Sequence, residues 1–276
     1  MPDTTRGAPA TRPPIVEVRA LTKSFGNHTA VDHVDLRVVE REIFGLIGPN
    51  GAGKSTMLKM LATLLPPTSG EATIAGCDLK KDPRGVRARL GYVPQLLSAD
   101  GSLTGYENLL LSARLYLIPR DERARRIRDA LEMFGLTAAA NQLAQHYSGG
   151  MLRRLEIAQS MIHRPPVLIM DEPTVGLDPV ARDVVWRHVR DLRDRYGTTI
   201  VLTTHVMEEV DALCDRIGIL HRGRLEKSGS PAELKAAIGP NASLDDVFAA
   251  IAGGDIESSG NLSEVRYERR SSADHG

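Results

Sequence analysis

The strongest structural signal in this sequence is the stretch Gly48-Pro-Asn-Gly-Ala-Gly-Lys-Ser-Thr56. It follows the apolar run of residues 43–47 and precedes a helical pattern over residues 57–65. Its spacing is G-x-x-x-x-G-K-[ST], in which the glycines let successive backbone N–H groups surround phosphate oxygens. The helix that follows directs the positive end of its dipole at the same phosphates. A strand, this loop and a helix in that order predict a nucleoside triphosphate site.

Two side chains of this loop have specific predicted tasks. Lys54 supplies a mobile positive charge for the β- and γ-phosphates, and the Ser55 hydroxyl is a candidate ligand for Mg²⁺. A chance glycine-rich turn is the alternative, but its expected frequency in a chain of this composition is well under ~1%. The ATP-binding residues predicted in the loop are Gly48, Pro49, Asn50, Gly51, Ala52, Gly53, Lys54, Ser55 and Thr56.

A second candidate site is the stretch Val167-Leu-Ile-Met-Asp-Glu-Pro173, an apolar strand that ends in two carboxylates. Strand ends of this kind hold ligands at the edge of α/β sheets. Asp171 is predicted to hold Mg²⁺, and Glu172 to polarise a water for attack on the γ-phosphate. Taken alone, Asp-Glu-Pro could equally cap a helix N-terminus. The phosphate loop in the same chain favours the functional interpretation.

The order of patterns along the 276 residues predicts an α/β protein with an inserted helical block. From about residue 103 to residue 162 the pattern is helical only. Residues 1–14 and about 253–276 lack apolar periodicity and are predicted to be flexible tails. Strand-like runs are predicted at residues 15–20, 34–39, 43–47, 71–75, 167–170, 199–203 and 216–220.

Composition excludes several classes of protein. Apolar residues at 42% and charged residues at 25% are those of a folded globular chain. The 35 basic residues balance 35 acidic ones, which argues against a sequence-independent nucleic-acid binder. No run approaches the ~18 apolar residues of a membrane span, since the best candidate, residues 109–118, is short and contains Arg114. Cys77 and Cys214 are predicted to be small buried side chains in a reducing, cytoplasmic compartment.

The stretch Tyr147-Ser-Gly-Gly-Met151 indicates which group of phosphate-loop proteins this chain resembles. With it, the chain resembles the nucleotide-binding subunits of ATP-binding-cassette (ABC) transporters over about residues 15–230, and the motifs occur in the family's order. The resemblance implies a P-loop NTPase (RecA-like) core with an inserted all-helical subdomain at about residues 96–165. Residues 231–252 are expected to form a short C-terminal helical extension.

The resemblance also implies roles for three residues around the bound nucleotide. Phe25 matches the aromatic residue that stacks on adenine, and any purine offers a face for such stacking. Gln95 matches the Q-loop residue that contacts Mg²⁺ and water and senses the membrane partner. His205 matches the switch histidine that touches the γ-phosphate. The predicted catalytic residues are Glu172, Gln95 and His205. The predicted Mg²⁺ ligands are Ser55, Gln95 and Asp171. The remaining histidines, such as His28, His146 and His221, have no metal-ligand spacing and are predicted to be surface residues.

A further set of residues is implied to act on the ATP of a second subunit. Ser148, Gly149 and Gly150 match the signature loop, whose donors face the partner's γ-phosphate, and Asp178 matches the D-loop. Tyr147 and Met151 replace the Leu and Gln of the commonest signature. Neither change removes the Ser148 hydroxyl or the glycine N–H groups.

The implied activity is ATP hydrolysis coupled to transport, with ATP and Mg²⁺ as cofactors. Implied partners are a second copy of the chain and a separate integral membrane permease, at the cytoplasmic face of the membrane, and no nucleic acid is expected. Residues 156–165, 171–182 and 243–252 are similar to the daunorubicin/doxorubicin-resistance group of bacterial exporters, which implies export of a drug-like or other amphipathic small molecule. The alternatives are a soluble ABC ATPase acting on DNA or ribosomes, and a small-molecule kinase, which would not account for Ser148–Gly150 or His205.

Overall fold

The computed structural model describes residues 13–252. It divides into two compact units, with the boundary after Pro231. The strands are β1 (Pro14–Phe25), β2 (His28–Val39), β3 (Ile43–Ile47), β4 (Ser69–Ile74), β5 (Cys77–Asp78), β6 (Leu90–Val93), β7 (Val167–Asp171), β8 (Thr199–Thr204), β9 (Arg216–His221) and β10 (Arg224–Gly229). The α-helices are α1 (Lys54–Leu61), α2 (Pro83–Ala88), α3 (Gly105–Leu115), α4 (Arg120–Met133), α5 (Gly149–Met161), α6 (Pro179–Tyr196), α7 (Met207–Leu213), α8 (Pro231–Ala236) and α9 (Leu244–Ala252).

The first unit contains two sheets. An antiparallel sheet has the order β2-β1-β4-β5, and a six-stranded sheet has the order β10-β9-β3-β8-β7-β6. In the larger sheet β9, β3, β8, β7 and β6 run parallel, and β10 pairs antiparallel at the edge. Every residue of β3, β7 and β8 is buried, as expected of parallel strands that are covered on both faces. The fold is therefore the predicted α/β core.

The register of the parallel strands brings four loops to one edge of the sheet. Ile47 at the end of β3 lies opposite Thr204 of β8, and Asp171 at the end of β7 lies opposite Thr203. Val93, the last residue of β6, lies opposite Met170. The chain that leaves each of these strands therefore emerges beside the others, where α/β proteins bind ligands.

The helical block lies between β6 and β7. It contains α3, α4 and α5, with two short 3-10 turns at Thr137–Ala139 and Ala144–His146. Thr104 begins α3 with a capping box, because its side chain accepts from the Glu107 N–H and Glu107 accepts in return from the Thr104 backbone. Helix α4 buries a single apolar stripe, formed by Ile127 and Leu131. Among the described residues of this block there is no strand, only an isolated bridge between Thr104 and Leu143.

All seven runs predicted as strands coincide with strands, except that Ala75, predicted to end one of them, lies in the turn after β4. Three others escape prediction: β5 and β6 are short, and β10 has no buried residue. Pro14, assigned to the flexible tail by the sequence, instead begins β1 opposite Val39. Pro13 precedes β1 without regular structure, and the remaining predicted tail residues, 1–12 and 253–276, lie outside the described residues. Cys77 and Cys214 are buried free thiols, as predicted.

The second unit begins at Ala232. Its described part holds most of α8 and all of α9. Ser243 caps α9, because its hydroxyl accepts from the Asp246 N–H at 3.1 Å while the Asp246 carboxylate accepts from the Ser243 N–H at 2.9 Å. Within residues 13–252, no helix combines the length and the apolarity needed to cross a bilayer.

Candidate active site

The phosphate loop needs glycine at two positions where other backbone passes close by. Gly53 has a φ of +104°, and a Cβ there would clash with the carbonyl oxygen of Ala30. A Cβ at Gly48 would clash with the carbonyl oxygen of Leu220. Gly53 is also the N-cap of α1, so the loop directs the helix N-terminus, with its unpaired N–H groups, toward the edge of the sheet.

Lys54 is buried at the base of this loop. Its ammonium group donates to the carbonyl oxygens of Gly48 at 2.7 Å and Pro49 at 3.1 Å. Burial lowers the pKa of Lys54, whereas the nearby carboxylates of Glu172 and Asp171 raise it. The loop carbonyls therefore hold the cation in place beside two acidic groups.

Ser55 and Asp171 meet across the sheet edge. The Ser55 hydroxyl donates to Asp171 Oδ1 at 3.1 Å, and Thr203 Oγ1 donates to the same oxygen at 2.6 Å. Two hard oxygen donors side by side suit Mg²⁺, which keeps several waters and phosphate oxygens and takes only one or two protein ligands. The described residues contain no group of three or more His, Cys, Asp and Glu side chains arranged to hold a metal.

Glu172 lies between two of the predicted catalytic residues. The Gln95 amide donates to Glu172 Oε2 at 2.9 Å, and His205 Nδ1 lies 3.2 Å from Glu172 Oε1. The Glu172 backbone N–H donates to both the carbonyl and the hydroxyl oxygen of Thr203. Glu172 has a φ of +47°, a left-handed conformation that costs energy for a residue with a Cβ. Its main chain is thus fixed by β8, and its carboxylate is oriented from both sides.

A cleft of about 380 Å³ connects this cluster to Phe25. Phe25 ends β1, is 49% exposed and pairs with His28 across the turn to β2. An exposed aromatic ring at one end of a cleft and a phosphate loop at the other match the two ends of a nucleotide. The cleft is lined by Phe25, His28, Ala30, Asn50, Gly51, Gly53, Lys54, Ser55, Thr56, Gln95 and Glu172.

The signature residues lie elsewhere. Ser148, Gly149 and Gly150 begin α5 and are not among the residues that line the cleft. The Ser148 side chain is the N-cap and accepts from the Met151 N–H at 3.3 Å. A Cβ on Gly150 would lie 2.8 Å from Cβ of Ala181 in α6. The signature loop therefore packs against the start of α6 rather than against the phosphate loop.

Asp178 caps α6. Its carboxylate accepts from the Ala181 N–H at 2.9 Å, an N-cap bond that leaves the exposed side chain at the same surface as the signature loop. Asp178 and Gly150 thus both approach Ala181, and the structure brings the predicted D-loop and signature residues together, apart from the cleft.

Tyr147, where the commonest signature has Leu, has a structural partner. Its hydroxyl donates to the Ala139 carbonyl at 2.7 Å, and the side chain is buried. The same hydroxyl occupies the space that a Cβ on Gly105 would need. The tyrosine therefore fastens the start of α5 to the 3-10 turn at Thr137–Ala139 and is not among the residues that line the cleft.

Two residues of the site were missed from the sequence. His28 is exposed, as predicted, and in addition lines the cleft beside Phe25, a role that was not predicted. Thr203, read only as part of a strand, orients both Asp171 and Glu172. The hairpin turn at Gly26 and Asn27 indicates that His28 lies beside Phe25. No local signal identifies Thr203, because its partners are more than 30 residues away along the chain.

Comparison with known proteins agrees with this geometry. Residues 31–175 match the family described as ABC transporter. The daunorubicin/doxorubicin resistance ATP-binding protein of Streptomyces peucetius is 44% identical over 226 residues, which are 82% of this chain and 68% of that protein. A solved ATP-binding subunit of an ABC transporter has a TM-score of 0.77 and 31% identity, covering 86% of this chain and 99% of that one.

A second similar solved structure contains bound nucleotide. It is an ATP-binding cassette in a dimeric, post-hydrolysis state with ADP and phosphate, and it has a TM-score of 0.70 and 28% identity, covering 78% of this chain and 98% of that one. The fold agrees with that of both solved structures. The chain therefore belongs to the ABC transporter family, as an ATP-binding subunit that hydrolyses ATP.

Proposed function

We propose that the cleft binds ATP with adenine on Phe25 and the phosphates in the loop of residues 48–56, and that Glu172 activates the attacking water. The observation that carries this assignment is the Glu172 carboxylate, held between Gln95 and His205 and close to Lys54. A carboxylate fixed on both sides is suited to accept a proton from water during in-line attack. Lys54 and the loop N–H groups stabilise the charge that develops on the phosphates.

Mg²⁺ belongs to the same proposal. Ser55 and Asp171 would hold it, with Gln95 nearby, because their oxygen atoms already converge at the strand ends. When bound, the ion neutralises negative charge on the phosphate oxygens. Thr203 already orients Asp171, so this metal ligand is preorganised.

The ATP site is completed, in this proposal, by a second copy of the chain. The signature loop is exposed at Ser148 and lies outside the cleft, so its donors are free to face the nucleotide of a partner. The dimeric relative described above supports this arrangement. ATP binding would then drive closure of the two copies, and hydrolysis would release them.

The partner that uses this motion is proposed to be a membrane permease, which would place the chain at the cytoplasmic face of the membrane. Exposed leucines support a docking surface just after Gln95 and at the end of α3. Leu96 is 82% exposed, Leu115 is 72% exposed and Leu117 is 84% exposed. We propose these exposed leucines as the contacts for the permease.

The cargo is proposed to be a drug-like or other amphipathic small molecule moved outward. This assignment rests on the similarity to the resistance protein named above, and it is the step that transport assays must test. A soluble ABC ATPase acting on DNA or ribosomes is the less favoured alternative, because the family match and the balanced charge both argue against it.

Lys54→Ala tests the nucleotide site. Loss of one charge-assisted contact should weaken ATP binding by about 3 kcal/mol, or about 10²-fold in Kd. Lys59→Ala is the matched control, because Lys59 lies exposed on the same helix. Equilibrium binding of ATP to the full chain measures both. Equal affinities for the two variants would contradict the assignment.

Affinity capture from detergent-solubilised membranes tests the partner. We expect the tagged full chain to recover an integral membrane protein with about six apolar spans of ~20 residues. Leu115→Glu should reduce that recovery, whereas Leu64→Glu, at another exposed leucine, should not. Recovery of ribosomes or DNA without a membrane protein would favour the alternative.

A further inference from the structure

Two buried charged side chains of α5 hold the main chain on both sides of Gln95. The Arg153 guanidinium donates to the carbonyl oxygen of Pro94 and to that of Gln95, each at 2.8 Å. Glu156, one turn further along the helix, accepts from the backbone N–H of Ser98, and from the Ser98 hydroxyl at 3.2 Å. Four hydrogen bonds therefore fasten residues 94–98 to one helix.

The pair is almost inaccessible to water. Arg153 Nη1 lies 3.0 Å from Glu156 Oε2, and the side chains are 3% and 2% exposed. Burial raises the pKa of Glu156, although the Ser98 hydrogen bonds and the Arg153 charge lower it, and burial likewise lowers the pKa of Arg153. Within residues 13–252, Arg153 Nε has no hydrogen-bond partner. Packed apolar side chains would serve stability as well as such a pair does, so stability alone does not explain it.

The same helix reaches both nucleotide-contacting regions. Its first residues follow Ser148, the proposed donor to a partner's ATP. Further along, Ser160 Oγ donates to the Tyr92 carbonyl at 2.8 Å, so the chain from residue 92 to residue 98 follows α5. Gln95, in the middle of this segment, donates its side-chain amide to Glu172 at 2.9 Å. A continuous set of contacts thus runs from the helix to the proposed catalytic carboxylate.

We propose that Arg153 and Glu156 are positioning residues for ATP hydrolysis, which clamp the backbone around Gln95 to α5 and thereby fix the Gln95 amide against Glu172. This inference rests on the proposed roles of Gln95 and Glu172. Any displacement of α5 when its signature loop engages a second copy carries the Gln95 backbone with it. The clamp therefore makes activation of the water by Glu172 in one copy depend on the position of α5 in the same copy, whose signature loop contacts the ATP of the other copy.

A double-mutant cycle tests the clamp in the full chain. Arg153→Lys keeps the charge but cannot donate to two carbonyls in the same fork geometry. We expect it to lower kcat about tenfold with less than about a threefold change in KM for ATP, because the phosphate loop and Phe25 are untouched. Gln95→Ala should lower kcat as well. In the Gln95→Ala background, Arg153→Lys should have no further effect, because both changes remove one function.

Arg126→Lys is the matched control. Arg126 lies in the same helical block, donates to Glu122 at 2.9 Å and to the Ile162 carbonyl at 3.4 Å, and should leave kcat unchanged when replaced. An unchanged kcat in Arg153→Lys, or losses that multiply in the double variant, would overturn the clamp. If Gln95→Ala itself left kcat unchanged, the proposed role of Gln95 would be wrong, which is a separate outcome.

Hydrogen exchange tests the clamp without a measurement of ATP hydrolysis. In nucleotide-free full chain, Glu156→Ala should accelerate exchange of the Ser98 amide at least about tenfold relative to the native chain, because that N–H loses its acceptor. Glu156→Gln, which keeps an oxygen at the same reach, should have a smaller effect. The amide of Glu107, whose acceptor is Thr104, should exchange at the same rate in all three chains. Unchanged exchange at Ser98 in both variants would also overturn the proposal.

Discussion

The cleft and the signature loop differ in how completely their polar groups are engaged within one chain. In the cleft, Glu172 is oriented by Gln95 and His205, and Lys54 by two carbonyls. At the signature loop, Ser148 is exposed, and its hydroxyl accepts a long bond of 3.3 Å from the Met151 N–H. The first region is preorganised for chemistry, whereas the second presents donors outward. One chain thus carries two unlike halves of the proposed composite site.

The largest expected effect on ATP hydrolysis comes from a change in the cleft, the preorganised half of the site. Glu172→Gln keeps the side chain's size and hydrogen-bonding reach but cannot accept the proton of the attacking water. We expect kcat to fall about 10²- to 10⁴-fold while ATP still binds. Phosphate release in a single turnover measures the rate, and Glu107→Gln, at an exposed helix cap, is the control. If Glu172→Gln retained the native rate, another group would have to be the base.

An intermediate effect is expected at the other end of the cleft. Phe25→Ala removes the proposed stacking surface, and stacking on an aromatic ring contributes about 1–3 kcal/mol per base. The Kd for ATP should therefore rise about tenfold, with kcat at saturating ATP unchanged. Phe25→Tyr should restore affinity, because the ring is retained. Unchanged ATP affinity in Phe25→Ala would place adenine elsewhere.

The smallest expected effect is on stability, at Tyr147, just before the signature loop. Tyr147→Phe removes the hydrogen bond to Ala139, so the free energy of unfolding should fall by about 1 kcal/mol without a change in kcat. Denaturant unfolding measures the first quantity, and Tyr196→Phe, at a half-exposed ring, should leave it unchanged. A lower kcat with unaltered stability would instead make Tyr147 a functional part of the loop.

Local signals were sufficient to predict β3 and β7, two of the strands that carry the cleft. Apolar runs bounded by Gly48 or by Asp171 and Glu172 identify β3 and β7, because buried parallel strands are apolar throughout. The four-residue β6 escaped prediction, since a short apolar run has no periodicity of its own. The antiparallel edge strand β10 also escaped, because it buries no residue.

The contacts that orient the site were not predictable from local pattern. Arg153 and Glu156 stand in an amphipathic helix, where charged residues ordinarily face solvent, and only the tertiary structure shows them buried against residues 94–98. The positive φ of Glu172 is likewise held by hydrogen bonds that its backbone N–H donates to Thr203, on a strand distant in sequence. Sequence motifs thus identify the groups that do the chemistry, whereas long-range packing decides how those groups are held.

The dependence of ATP hydrolysis on chain concentration tests most directly whether two copies build each site. The rate per chain should rise with concentration and then saturate, and Ser148→Arg should lower the saturated rate about 10²-fold, as removal of a transition-state donor does, without changing ATP affinity. Mixing Ser148→Arg with Lys54→Ala should restore activity, because each mixed pair then contains one intact phosphate loop opposite one intact signature loop. A native rate in Ser148→Arg alone, independent of concentration, would contradict the composite site.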